Sequence, residues 1–117
     1  MSFTSLYFGN QQEARLGPLP IPTGAPALAL TLAEPLRFTD MTLTNRTASP
    51  ITLDVWVVPK GDSVSNNNVL LGTVNLPGHD LITYNSLNIP LNQQDTIWFE
   101  ASGAGVNFFG TLSRRNR

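Results

Sequence analysis

The sequence predicts a single all-β domain, an antiparallel β-sandwich, and three observations carry that prediction. Apolar residues recur with a period of two in short runs. Gly, Pro and Asn separate those runs at regular intervals, and no segment carries a capped helical period. A chain of 117 residues suits one domain.

Residues 1–35 read as an extended, proline-rich N-terminal arm, and residues 36–117 as the sandwich with a basic C-terminal tail. The arm opens on a β-prone patch, Phe3 through Phe8, and continues through Pro18, Pro20, Pro22 and Pro26. Proline fixes φ and donates no backbone hydrogen bond, so this spacing forbids helix and discourages a central strand. Polyproline-like extension of residues 9–26 would span roughly 55 Å at about 3.1 Å per residue. That exceeds the ~13 Å radius of gyration of a domain this size. The arm is therefore expected to reach a neighbour; the alternative is that it wraps its own sandwich.

Ala27–Leu32 alternates, with Leu28, Leu30 and Leu32 on one face, until Pro35 breaks the run. Leu36–Asn45 changes phase between Phe38 and Met41, which predicts a bulge near Thr39-Asp40. Ile51–Val58 sets Ile51, Leu53, Val55 and Val57 on one face and Thr52, Asp54 and Trp56 on the other. A polar loop, Ser63–Asn68, leads into a strand at Val69–Leu76. The Pro77-Gly78-His79-Asp80 turn leads to another at Leu81–Leu87. Asp95–Ala101 and Val106–Leu112 complete about seven strands.

Charged residues make up 13% of the chain, about half of the usual ~25%. Such a surface leaves apolar and amide groups outward and suits coverage by partners. The net charge of −1 argues against a general nucleic-acid binder, which needs a basic field. The basic tail Arg114, Arg115 and Arg117 leaves the rest of the chain more acidic. The absence of cysteine excludes disulfides and thiolate zinc sites. No signal peptide or membrane span is visible, and the chain reads as a soluble product made inside the cell.

No enzymatic constellation emerges. The lone His79 stands beside Asp80, but adjacent residues on an extended chain point apart, so they form no relay. There is no nucleophile elbow, no phosphate loop preceding a helix and no calcium loop. A glycosidase would need two carboxylates flanking a cleft, and Asp54 with Glu100 is a pair of the kind any small sandwich offers by chance. Asn45-Arg46-Thr47 matches the glycosylation acceptor pattern, which without a secretory signal reads as coincidence. No cofactor or metal is expected.

One running pattern extends over Met41–Pro59, where Thr44-Asn45-Arg46-Thr47-Ala48-Ser49 precedes Val55-Trp56-Val57-Val58-Pro59. It continues through Val69-Leu70-Leu71, Leu81–Leu87 and Leu91-Asn92-Gln93-Gln94-Asp95-Thr96-Ile97. Together these cover about two-thirds of the chain, which here resembles small bacteriophage virion proteins built on one Ig-like or jelly-roll β-sandwich. The resemblance implies a non-enzymatic capsid decoration (cement) protein at the virion surface, made in the host cytoplasm. Its implied partners are the major capsid protein and further copies of itself, as a homotrimer, with no nucleic acid and no membrane.

On this reading Phe3, Leu6, Tyr7, Phe8, Leu19 and Ile21 of the arm would enter apolar grooves or add a strand to a neighbour's sheet edge. Outward Trp56 and Phe109 would join the interface, and Arg114, Arg115 and Arg117 would meet an acidic coat surface. The alternative is a tail or head-fibre module recognising host-surface glycan through Trp56 or Trp98 with Asn66–Asn68.

Overall fold

The computed structural model describes residues 13–21 and 23–114. Among the described residues nine strands form: β1 (Glu13–Pro20), β2 (Ala27–Thr31), β3 (Leu36–Asn45), β4 (Ile51–Val58), β5 (Val69–Leu76), β6 (Leu81–Tyr84), β7 (Ile89–Leu91), β8 (Thr96–Ala101) and β9 (Val106–Arg114). A 3-10 turn at Asn66–Asn68 precedes β5. One sheet has the order β1-β9-β3-β6, with β7 pairing the other half of β3. The second has the order β2-β8-β4-β5. All strand pairings are antiparallel, and both sheets contribute to one buried core.

Alternation along the strands builds that core. Phe38 and Phe108 from the first sheet and Phe99 from the second are fully buried. Their ring centroids lie 6.3 Å (Phe38–Phe108) and 5.4 Å (Phe99–Phe108) apart at tilted angles, a favoured aromatic geometry. These three rings tie the two sheets together. The bulge expected near Thr39-Asp40 is present, because the β3–β9 register shifts between Phe38 and Asp40. That shift lets both Phe38 and Met41 point inward at 0% exposure.

The region expected to be an arm differs from its reading over residues 13–35. β1 is hydrogen-bonded along β9, and Leu16, Leu19 and Ile21 are buried at 1%, 8% and 3% exposure. β2 pairs β8, with Leu30 and Leu32 in the core. The prolines fit because β1 is an edge strand, where one side of the backbone needs no partner. Pro18 falls in the register shift between Leu16 and Leu19, and both Pro18 and Pro20 face solvent. These residues therefore belong to the folded body, and the boundary at residue 35 does not separate two structural units. Residues 1–12, including the Phe3–Phe8 patch, lie outside the described residues.

Two further differences are local. The strand expected through Leu87 stops at Tyr84, and Ser86 and Asn88 take positive φ values of 58° and 54°. The chain then re-pairs with β3 as β7, around Pro90. In β2 the register shift between Leu28 and Leu30 turns Ala29 inward and leaves Leu28 half-buried, so the three leucines do not share one face.

The turns at one end are held by Asn45, which is 1% exposed. Its amide nitrogen donates to the carbonyls of Ser49, Leu76 and Pro77 at 2.8, 3.1 and 3.2 Å. Its Oδ1 accepts from the Thr47 backbone N–H and hydroxyl at 2.9 and 2.8 Å. The Asn-x-Thr pattern thus serves as an internal latch. Its amide nitrogen is unavailable to a modifying enzyme in the folded chain.

The latch joins the 45–50 turn to the 77–80 turn, which pack so closely that a Cβ on Gly78 would collide with the Ala48 backbone. Gly78→Ala is expected to destabilise the protein by roughly 1–3 kcal/mol, read as a lower midpoint in chemical denaturation. At the other end, Asp95 accepts from the backbone N–H of Lys60 at 3.1 Å and of Asn92 at 2.9 Å, fixing the β4–β5 loop to the β7–β8 turn.

Candidate interaction surfaces

The sequence-derived interface residues do not gather in one place. Leu19 and Ile21 are core residues of the same chain and are not available to a partner. Trp56 is 8% exposed, so it offers no free stacking surface. It lies on the outer face of its sheet, outside the central core cluster. There it stands opposite Trp98 on one side and Val69 on the other, and the Asn66–Asn68 turn contacts its strand. Arg114 is half-buried and ion-paired to Glu34 at 3.4 Å, so an acidic coat surface would compete with an internal carboxylate. Phe109 is half-buried on the outer face of the first sheet. Phe3, Leu6, Tyr7, Phe8, Arg115 and Arg117 lie outside the described residues.

That outer face is divided by charge. At one end cross-strand rows place Glu13 and Arg37 on either side of Ser113, and Arg15 and Asp40 on either side of Thr111. Arg37 also donates to Asn88 Oδ1 at 2.8 Å. Toward the other end the rows become Phe109–Thr42–Thr83 and Asn107–Thr44–Leu81, with no charged group. Thr42 and Thr83 are joined through their hydroxyls at 3.2 Å. Leu81 is 54% exposed, the more exposed of the two large hydrophobics in solvent among the described residues. A shallow depression of about 60 Å³ separates the two halves, between Arg15, Asp40, Phe109 and Thr111.

Asp54 and Glu100 are direct cross-strand neighbours on the outer face of the second sheet. Asp54 accepts from the Thr73 backbone N–H and lies 3.5 Å from its hydroxyl, which holds β5 where its register against β4 shifts. That is a structural task. His79 is exposed in a turn with φ 54°, and its backbone N–H donates to the Thr47 carbonyl at 2.7 Å. Among the described residues no three His, Cys, Asp or Glu side chains cluster as metal ligands, and no helix is long and apolar enough to cross a membrane.

Sequence reasoning missed two features. Leu81 was assigned to a strand without being recognised as the apolar point of a charge-poor face. The Ser63–Asn68 loop was read as polar, with Asn66–Asn68 as a candidate glycan contact, but the open concavity of about 390 Å³ that it forms beside the start of β5 was not foreseen. The signal for the latter was its density of Ser and Asn; concavity itself depends on how the loop folds back.

No family model matches the chain, and no curated protein matches it.

Proposed function

We propose that this chain is a non-enzymatic structural component of a virus particle, a capsid decoration protein that attaches to the major capsid protein as a homotrimer. Its two packed sheets are read as an Ig-like or jelly-roll sandwich, in line with the resemblance carried by Met41–Pro59 and Leu91–Ile97. The observation that favours this reading most is the charge-poor half of the first sheet's outer face, with Phe109 and Leu81 among threonines. A face with apolar anchors and few charges to desolvate suits stable contact with another protein.

β1 begins at Glu13 opposite Ser113, and the sequence before it is the N-terminal segment proposed to engage a neighbour. Its β-prone residues Phe3–Phe8 suit addition to a neighbouring sheet edge.

The test is reconstitution on shells lacking the chain. Full-length protein is expected to co-sediment with them and to raise the temperature at which they disrupt. The variant Phe109→Asp is expected to lose binding by at least ~10-fold, about 1.4 kcal/mol. It should keep its own stability to within ~1 kcal/mol, since the side chain is not part of the core. Failure of the full-length chain to bind any such shell would rule the reading out.

A further inference from the structure

We propose that the concavity formed by the β4–β5 loop is a binding site for a neutral oligosaccharide. Its volume, about 390 Å³, falls within the range typical of small-ligand sites, roughly 300–1,000 Å³. The loop is preorganised. Ser65 and Asn68 form a reciprocal capping box, with Asn67 N–H donating to Ser65 Oγ at 3.2 Å and Ser65 N–H donating to Asn68 Oδ1 at 3.1 Å. Asn68 Nδ2 also donates to the Ser63 carbonyl at 2.9 Å, and the loop's first residues are fastened to Asp95 through Lys60 N–H. A rigid wall loses little entropy on binding.

What this framework leaves unused defines the ligand. The Asp62 carboxylate, the Ser63 hydroxyl and the Asn67 amide all line the concavity, and none bonds to another described side chain or backbone group. A carboxylate accepts two hydrogen bonds side by side, an amide both donates and accepts, and a hydroxyl does either. Vicinal sugar hydroxyls match that set. Val64 and Pro59 in the wall offer apolar contact for sugar C–H groups.

Trp98 lies outside the lining, on β8, with Trp56 of β4 between it and β5. Its indole N–H donates to Thr96 Oγ1 at 2.9 Å, and that hydroxyl lies 3.4 Å from the carbonyl of Val58, the last residue of β4 before the loop. The indole is thereby tied along its own strand while staying partly exposed.

Charge narrows the class. The lining contains one carboxylate and no cation, which disfavours phosphate and acidic sugars. One carboxylate is too few for calcium, which takes six to eight oxygen ligands.

The experiment is a titration of isotope-labelled full-length protein with cellotriose, maltotriose and chitotriose in turn, and separately with calcium chloride, followed by amide and indole NMR shifts. At least one sugar is expected to move the amides of residues 62–68 together at millimolar concentration while leaving the Trp98 indole signal in place. Asp62→Ala and Asn67→Ala should each weaken that sugar by at least ~10-fold while the melting temperature stays unchanged. The proposal is overturned if none of the three sugars shifts these amides, if the shifts persist undiminished in both variants, or if calcium alone moves them.

Discussion

Deleting residues 2–26 is expected to abolish cooperative folding, whereas deleting residues 2–12 is expected to retain it. The longer deletion removes the whole of β1 and, with it, Leu16, Leu19 and Ile21, all buried in the core. Fully burying side chains of this kind is worth about 1.5–3 kcal/mol each. Three of them together with the β1–β9 ladder rival the ~5–15 kcal/mol by which a domain this size is stable. The loss would also expose the edge of β9, whose alternation of buried and half-buried residues runs through Phe108 and Leu112. Aggregation is the expected fate of such an uncovered strand. The shorter deletion keeps every residue of β1. Circular dichroism melts of the two proteins check the contrast, and a sharp native-like melt for the 2–26 deletion would mean that β1 does not belong to the folded body.

Asn45→Ala is expected to cost about 3–5 kcal/mol. Its two amide hydrogens are shared among three carbonyls and its Oδ1 accepts twice, from a site that is 1% exposed. A typical intramolecular hydrogen bond contributes ~1 kcal/mol net, and a buried group left unpaired costs about 1–3 kcal/mol. The Leu76 carbonyl, whose bond to Asn45 is buried, would be such a group. Asn45→Asp tests the mechanism further. It keeps the acceptor for the Thr47 donors but sets a carboxylate oxygen against three carbonyls, so it should be no milder than alanine. Urea denaturation checks both variants. A loss below ~1 kcal/mol for alanine would show that the two turns are held by something other than this latch.

The strands with clear alternation were legible because a half-buried strand has to alternate. β4 followed its reading, with Ile51, Leu53 and Val55 inward, and the phase change in β3 revealed its bulge. The same logic failed at β1 for a definable reason. The extra residue between Leu16 and Leu19 breaks the period of two, and Pro18 and Pro20 argue against a strand unless its place at an edge is known. Edge position is a property of topology, which no local window contains.

Trp56 was misread through a similar gap. Its outward direction followed from alternation, but a neighbouring strand and turn cover it, and they are adjacent only in the fold. Among the surface features, the loop's polar character was readable while its concavity was not. The charge-poor face around Phe109 and Leu81 needed the registers of β3 with β6 and β9 before its residues could be seen as neighbours.

The most direct test of the central claim is cryo-electron microscopy of virus particles that contain this chain. The account predicts sandwich density on the outside of the shell, three copies to a cluster, with the Phe109–Leu81 end of the first sheet's outer face turned toward protein. Density confined to the tail or the particle interior would contradict it, as would that face turned to solvent in every copy.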